Sequence, residues 1–258
     1  MRRLIVEDPM SRPATWALRL GWLGLAVLVI AGVLVRWRRV DLEPGLAALA
    51  GACLIAALAA LLALLAFVRI WREGHRGFGR AVGGLLLAVL TLAYPAILAG
   101  PTLAGPPMLD VTTRATPPLT FSASRPASEA RGGWSPEPTP PGLRERQRAA
   151  APSLAGLDLA LPEDVAYALA REAAEALGYE IVEASAPGGR GAIARIEART
   201  ASLVLRFPVE LTLRVAPTPG GARIDARAVT RAPLPDVGGA RWRLERLFAE
   251  IDARAGVL

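Results

Sequence analysis

The sequence predicts a two-part membrane protein: three transmembrane α-helices, then a C-terminal α+β two-layer domain, an antiparallel sheet with N- and C-terminal helices on one face. Three observations carry this reading. Long uncharged apolar runs are confined to residues 1–100. Prolines crowd the stretch from Gly100 to about Ala151. Beyond it, period-two alternation is bracketed by two stretches of helical period.

The spans fall at about 14–35, 46–68 and 81–99. Leu46–Val68 carries no charge. At the helical rise it reaches roughly 35 Å, more than the ~30 Å hydrocarbon layer of a bilayer. Ala81–Ala99 is a second such run. Leu20–Val35 reaches about 24 Å; Ala14–Leu18 extends it, with Arg19 snorkelling to the headgroups. Trp16, Trp22, Trp37 and Trp71 lie at or near the span ends, where indoles favour the lipid–water boundary. Arg36, Trp37, Arg38 and Arg39, not small residues, follow the first span; it reads as a retained helix rather than a cleaved signal. Tyr94-Pro95 predicts a kink in the third span. Gly79 and Gly83, at GxxxG spacing, read as ordinary close packing.

Arginine sets the orientation, since the chain has no lysine. Arg2, Arg3, Arg12 and Arg19 lie in the N-terminal tail and at the start of the first span, and Arg69, Arg72, Arg76 and Arg80 follow the second. With three spans these segments share a side. The first loop has Arg36, Arg38 and Arg39, offset by Asp41 and Glu43. Basic loops stay in the cytoplasm. The N-terminus is therefore expected in the cytoplasm of a bacterial cell, the spans in its inner membrane and the C-terminal domain in the periplasm. Membrane lipids are the partners this implies. No ionisable residue sits mid-span, which argues against an ion pathway.

Residues 101–151 read as a proline-rich linker, an extended tether. Its Arg144, Arg146 and Arg148 read as a solvated run or a contact to lipid phosphate. The soluble domain is expected over 152–258. Leu161-Pro162-Glu163-Asp164 starts a helix, with acids at the positive end of its dipole. Val165, Leu169 and Ala173 continue it, and Gly178 stops it. Tyr179–Ala184 is a strand, Pro187-Gly188-Gly189 a turn, and Gly191–Thr200 alternates. Leu203–Phe207 is an apolar stretch ended by Pro208, which suits an edge or a strand start. Val209–Val215 alternates again. Pro217–Gly221 is a hairpin loop, followed by a strand to Arg231. Leu244, Leu247, Phe248 and Ile251 give the last helix an apolar stripe.

These residues resemble a bacterial family catalogued as domain of unknown function 1499, over about Leu109–Ala253. The resemblance rests on Asp110-Val111-Thr112-Thr113 leading to Pro117-Pro118 and Phe121, and on Ile196-Glu197-Ala198-Arg199-Thr200. Its most specific part is Arg223-Ile224-Asp225-Ala226-Arg227 through Thr230-Arg231, then Asp236-Val237-Gly238 and Arg243. This chain departs from the family at Val209-Glu210, where an acidic pair is usual. Ala228 replaces a usual serine, Pro233 a glycine and Ala240 an asparagine. The resemblance implies the fold and a membrane context, and no known reaction.

One face of the expected sheet carries Arg195, Glu197, Arg199, Glu210, Thr212, Arg214, Arg223, Asp225, Arg227 and Arg231. It reads as a solvated face whose cross-strand ion pairs each contribute roughly 0.2–1 kcal/mol. Alternatively, its surplus guanidiniums grip phosphate or carboxylate through paired hydrogen bonds. The candidate ligand-binding residues are then Arg195, Arg199, Arg214, Arg223, Asp225, Arg227 and Arg231. Asp236 joins them, either opening the last helix or ordering a ligand loop.

After Gly100 there is no His, Cys or Lys. That removes Ser-His-Asp and Cys-His catalysis, thiolate or imidazole metal sites and Schiff-base chemistry. No catalytic residue, metal or cofactor is therefore assigned. Cys53 is alone within a span, and His75 reads as a solvated side chain, because metal sites gather three or four ligands. Nothing resembles a recognition helix or an aromatic platform for nucleic acid. The expected function is a non-catalytic binding or scaffolding module for anionic envelope components. A carboxylate-dependent hydrolase and a structural subunit contacting envelope proteins remain the alternatives.

Overall fold

The structure is a computed structural model. It describes residues 9–104, 108–114, 117, 119–138, 142, 145, 147, 149, 151, 154–188, 194–232 and 237–257. The chain divides into two compact units, Met1–Leu103 and Ala104–Leu258.

The first unit holds helices α1 (Arg12–Arg36), α2 (Leu42–Glu73) and α3 (Phe78–Ala104). Pro13 lies in the first turn of α1, where no backbone donor is needed. Gly74, at φ 68°, ends α2 and returns its N–H to the Ile70 carbonyl. Both α1 and α2 are long and apolar enough to cross a bilayer, with mean hydropathies of 2.3 and 2.7. In α3 the apolar stretch is Phe78–Ala93, and the helix continues past Pro95 to Ala104. Small residues line the contacts: Ala14, Ala17, Gly21 and Gly24 on α1, and Ala52, Ala56, Ala59, Ala63 and Ala66 on α2. Gly79 faces open space, whereas a methyl at Gly84 would lie 2.6 Å from the Ala17 backbone. Gly84 therefore sets the close approach of α1 and α3. Large apolar side chains such as Ile30, Leu54, Leu86 and Ile97 point away from these contacts and are exposed.

The second unit is a two-layer α+β fold. Its elements are β1 (Asp110–Thr112), α4 (Arg125–Ala130), β2 (Leu157–Leu159), α5 (Glu163–Ala176), β3 (Glu180–Ser185), β4 (Ala194–Ala201), β5 (Pro208–Thr218), β6 (Gly221–Thr230) and α6 (Ala240–Ala255). All pairings are antiparallel, in the order β1-β6-β5-β4-β3. The edge of β6 is shared end to end: β1 lies opposite residues 227–229 and β2 opposite 222–224. Alternation does what it predicts. Ile196, Leu211, Leu213, Ile224 and Ala226 point to one face and are fully buried. There they pack with Ala166, Ala170 and Ala173 of α5 and Leu244, Leu247 and Ile251 of α6. Gly178, at φ 72°, follows α5 as expected.

The structure corrects three expectations. Residues 101–151 are not simply a tether, because β1 is a strand of the sheet and Gln147 is buried against it. Prolines oppose helix interiors and central strands, but they permit the first turn of a helix such as α4 and a loop whose backbone groups bond to side chains instead. Leu203–Phe207 is the β4–β5 loop, not a strand. It is closed by Ser202 N to the Phe207 carbonyl and Phe207 N to Ser202 Oγ. Finally, the polar face of the sheet is not solvated. Glu197, Glu210, Thr212, Asp225 and Arg227 are each at most 2% exposed, because the described residues between Thr113 and Glu137 lie over them.

Candidate functional site

Register places the polar side chains in rows across the sheet. One row runs Ser185–Arg195–Arg214–Asp225, and the next Glu183–Glu197–Thr212–Arg227–Thr112. The covering segment engages most of the charges. Arg131 Nη1 donates to Glu197 Oε2 at 2.8 Å, and Ser122 N donates to Oε1 of the same carboxylate. Arg227 grips Asp110 with Nε and Nη2 at 3.0 and 2.7 Å, and donates to the carbonyls of Leu119 and Glu137. Phe121 lies beneath the guanidiniums of both Arg131 and Arg227. Asp225 accepts from Thr113 Oγ1, Arg114 and Arg223. Arg223 also donates to Asp158. Arg199 pairs with Glu210 at 3.1 Å and donates to the Ala130 carbonyl. Arg231 donates to the Arg131 carbonyl and stacks over Trp134. These arginines hold a cover in place, through the hydrogen bonds that charged groups make most strongly.

Two arginines have a different environment. Arg195 and Arg214 are direct partners across β4 and β5, and both line a cleft of about 490 Å³ with Leu119, Ser122, Glu183 and Thr212. Arg195 is balanced by Glu197 at 3.1 Å and donates to Thr212 Oγ1. The Nε of Arg214 is buried with no hydrogen-bond partner among the described residues. Like charges opposed across strands repel, and a buried donor without an acceptor costs about 1–3 kcal/mol. Glu183 guards the same cleft. The hydrogen bond from Ser122 holds its carboxyl below the usual range; Ser124, Arg195 and Arg131 help offset the opposing effect of burial. Among the described residues no three His, Cys, Asp or Glu side chains are placed to share a metal ion.

The sequence model of a family described as a protein of unknown function, DUF1499, matches residues 110–251. This chain belongs to that family. No curated protein and no solved structure matches the chain. The DUF1499 region begins at the first residue of β1, so the cover is part of the family fold.

Of the residues expected to bind ligand, the DUF1499 sheet brings Arg195 and Arg214 into the cleft. Arg199, Arg223, Asp225, Arg227 and Arg231 are engaged in the contacts just described. Asp236 lies outside the described residues, as do Arg144, Arg146 and Arg148. Sequence reasoning missed Ser122, Glu183 and Arg131. Period-two alternation does place Glu183 on the polar side of β3, opposite Glu197. Ser122 and Arg131 lie in irregular chain, where no periodicity marks them.

Proposed function

We propose that this protein is a bilayer-anchored, non-catalytic binding module of the bacterial envelope. Its cleft would take an anionic group between Arg195 and Arg214. The observation that carries this reading is the opposed pair itself: two arginines are partners across β4 and β5, and among the described residues only one has a carboxylate partner while the other keeps a buried donor unused. A phosphate or carboxylate would supply the missing acceptor and relieve the repulsion. The ionised Glu183 refines the ligand class. A bare polyanion would meet repulsion there, whereas an anion that also carries hydroxyls could donate to it. A glycerol phosphate or a carboxylated sugar unit has that chemistry.

The anchoring rests on α1, α2 and α3. Their exposed Leu, Ile and Val side chains are suited to lipid tails rather than water. The arginine bias puts the N-terminus in the cytoplasm and the sheet domain in the periplasm. A topology reporter fused after Leu258 that works only in the cytoplasm would reverse this orientation.

The binding test uses the full chain in detergent with glycerol phosphate and glucuronate as probes, read by titration calorimetry. Arg214→Ala should weaken binding of at least one probe roughly ten- to a hundred-fold, the loss of one or two charge-assisted bonds. Arg214→Lys should not restore it, because an ammonium lacks the planar fork. Equal affinity of wild type and Arg214→Ala for both probes would reject the site.

A further inference from the structure

In the second unit only four large apolar side chains are exposed among the described residues: Leu203, Val204, Val237 and Val257. Scattered exposed apolar residues need no explanation. Three of these, however, gather at one end of the sheet. Leu203 and Val204 lie in the β4–β5 loop, and Leu203 N donates to the Val237 carbonyl at 2.8 Å. The leucine side chain packs so closely on Gly238 that a methyl there would lie 2.5 Å from its Cγ. Arg206, in the same loop, is exposed and holds a φ of 58°. That left-handed backbone is rare for a non-glycine residue. Arg231 is exposed at this end too, with its contacts to the Arg131 carbonyl and the Trp134 ring.

The chain enters the sheet at the same end. Thr230 N donates to the Leu109 carbonyl at 2.6 Å, and Arg231 N to the Pro208 carbonyl at the mouth of the loop. Residues 105–109 alone join Ala104, the last residue of α3, to β1. At roughly 3.5 Å per residue, so short a connection reaches no more than about 20 Å. The opposite end carries the β5–β6 turn around Gly220, where Thr218, Pro219, Gly220 and Gly221 present no large apolar side chain.

We infer that the β4–β5 loop and Val237 are a membrane-contacting tip. Leu203, Val204 and Val237 enter the boundary between headgroups and acyl chains, and Arg206 reaches lipid phosphate. The inference rests on the reading that α1–α3 lie in a bilayer. It gives the tip a role in fixing the domain's orientation, so that the cleft is presented at a constant height above the lipid.

The test places single cysteines in a Cys53→Ala background: Val204→Cys and Leu203→Cys at the tip, and Pro219→Cys at the far end as the reference. Each full-length protein is labelled with an environment-sensitive fluorophore and reconstituted into phosphatidylethanolamine–phosphatidylglycerol vesicles, with or without nitroxide-labelled lipid. Both tip labels should shift to the blue and lose roughly half their emission to the shallow nitroxide, while the label at 219 does neither. Tip labels that match the label at 219 in floating vesicles would overturn the inference and leave the anchoring intact. A blue shift without quenching by the nitroxide would also overturn it, assigning the tip to a second copy of the chain. Protein that fails to float with the vesicles would remove the anchoring reading and this inference together.

Discussion

Arg131 Nη1 lies 2.8 Å from Glu197 Oε2, and each side chain is only 3% exposed. Removing the arginine leaves the buried Glu197 carboxylate with Arg195 at 3.1 Å and the Ser122 backbone N–H. Arg131→Ala should therefore destabilise the domain by about 1.5–3 kcal/mol, the worth of a hydrogen bond between charged groups. The double change Arg131→Met with Glu197→Leu should cost much less, because it removes both charges from the interior. Native-state hydrogen exchange of β4 and β5 amides would read both effects. Equal losses in the two variants would show that packing, not charge, sets the cost.

The Arg227–Asp110 fork makes a more local prediction. It fastens a three-residue strand to the edge of β6, and Gln147 adds a bond at each side: its Oε1 accepts from Thr112 N and its Nε2 donates to the Asp110 carbonyl. Arg227→Lys keeps the charge and loses the planar geometry. Exchange at the amides of Val111 and Thr112 should accelerate on the order of ten-fold or more, the worth of a charge-assisted bond. Amides at the centre of β4 should change far less. A uniform acceleration across the sheet would mean that β1 opens only with the whole domain.

The apolar half of this domain was legible because a period of two admits few interpretations: Ile196, Leu211, Leu213 and Ile224 fell inward as read. The polar half was legible in its facing and not in its burial. Alternation states that Glu197 and Arg227 point away from α5 and α6. It cannot state that irregular chain returns to cover them. That cover is rich in proline, which signals the absence of helix and leaves open whether the segment is solvated or bound. The motif Asp110–Thr113 was visible through family resemblance, and it is the part that forms β1. Ser122 and Arg131 were invisible because their roles depend on contacts 66 to 75 residues distant in sequence. Arg195 and Arg214 were named with four other arginines, and only strand register separated them.

Two carboxylates in this domain should bend its stability in opposite directions with pH. Burial pushes the Glu210 carboxyl up, and the Arg199 charge offsets only part of that rise. A folded value above the unfolded one means that the native state holds the proton more tightly. Stability is then greatest below the ordinary carboxylate range and declines as pH rises toward the folded value. Glu210→Gln should remove that decline while keeping an acceptor for Arg199. Glu183 is held below its ordinary value, so its contribution is present above the unfolded value and lost as pH falls through the folded one. Glu183→Gln should remove this acid-side loss. Difference curves of wild type against each variant, by urea unfolding from acid to neutral pH, would show slopes of opposite sign. Slopes of the same sign would contradict one of the two assignments, and the sign tells which.

The β5–β6 turn carries two adjacent glycines with different duties. Gly221 sits at φ 144°, and a methyl on it would collide with the Leu159 carbonyl oxygen and lie 2.9 Å from Leu161 N. Both atoms are backbone, so neither can rotate away. Gly220 has open space where its methyl would go and no positive φ. Gly221→Ala should thus cost at least about 1–3 kcal/mol from backbone conformation alone. It should also loosen β2, whose Leu159 pairs with Ala222 beside the turn. Gly220→Ala should change stability by no more than about 0.5 kcal/mol. Thermal unfolding ranks the two variants, and exchange at Leu157–Leu159 tells whether β2 gives way first. If Gly220→Ala proved as costly as Gly221→Ala, the turn would be limited by chain flexibility rather than by the closeness of β2. The contacts at Leu159 would then have no bearing on its sequence.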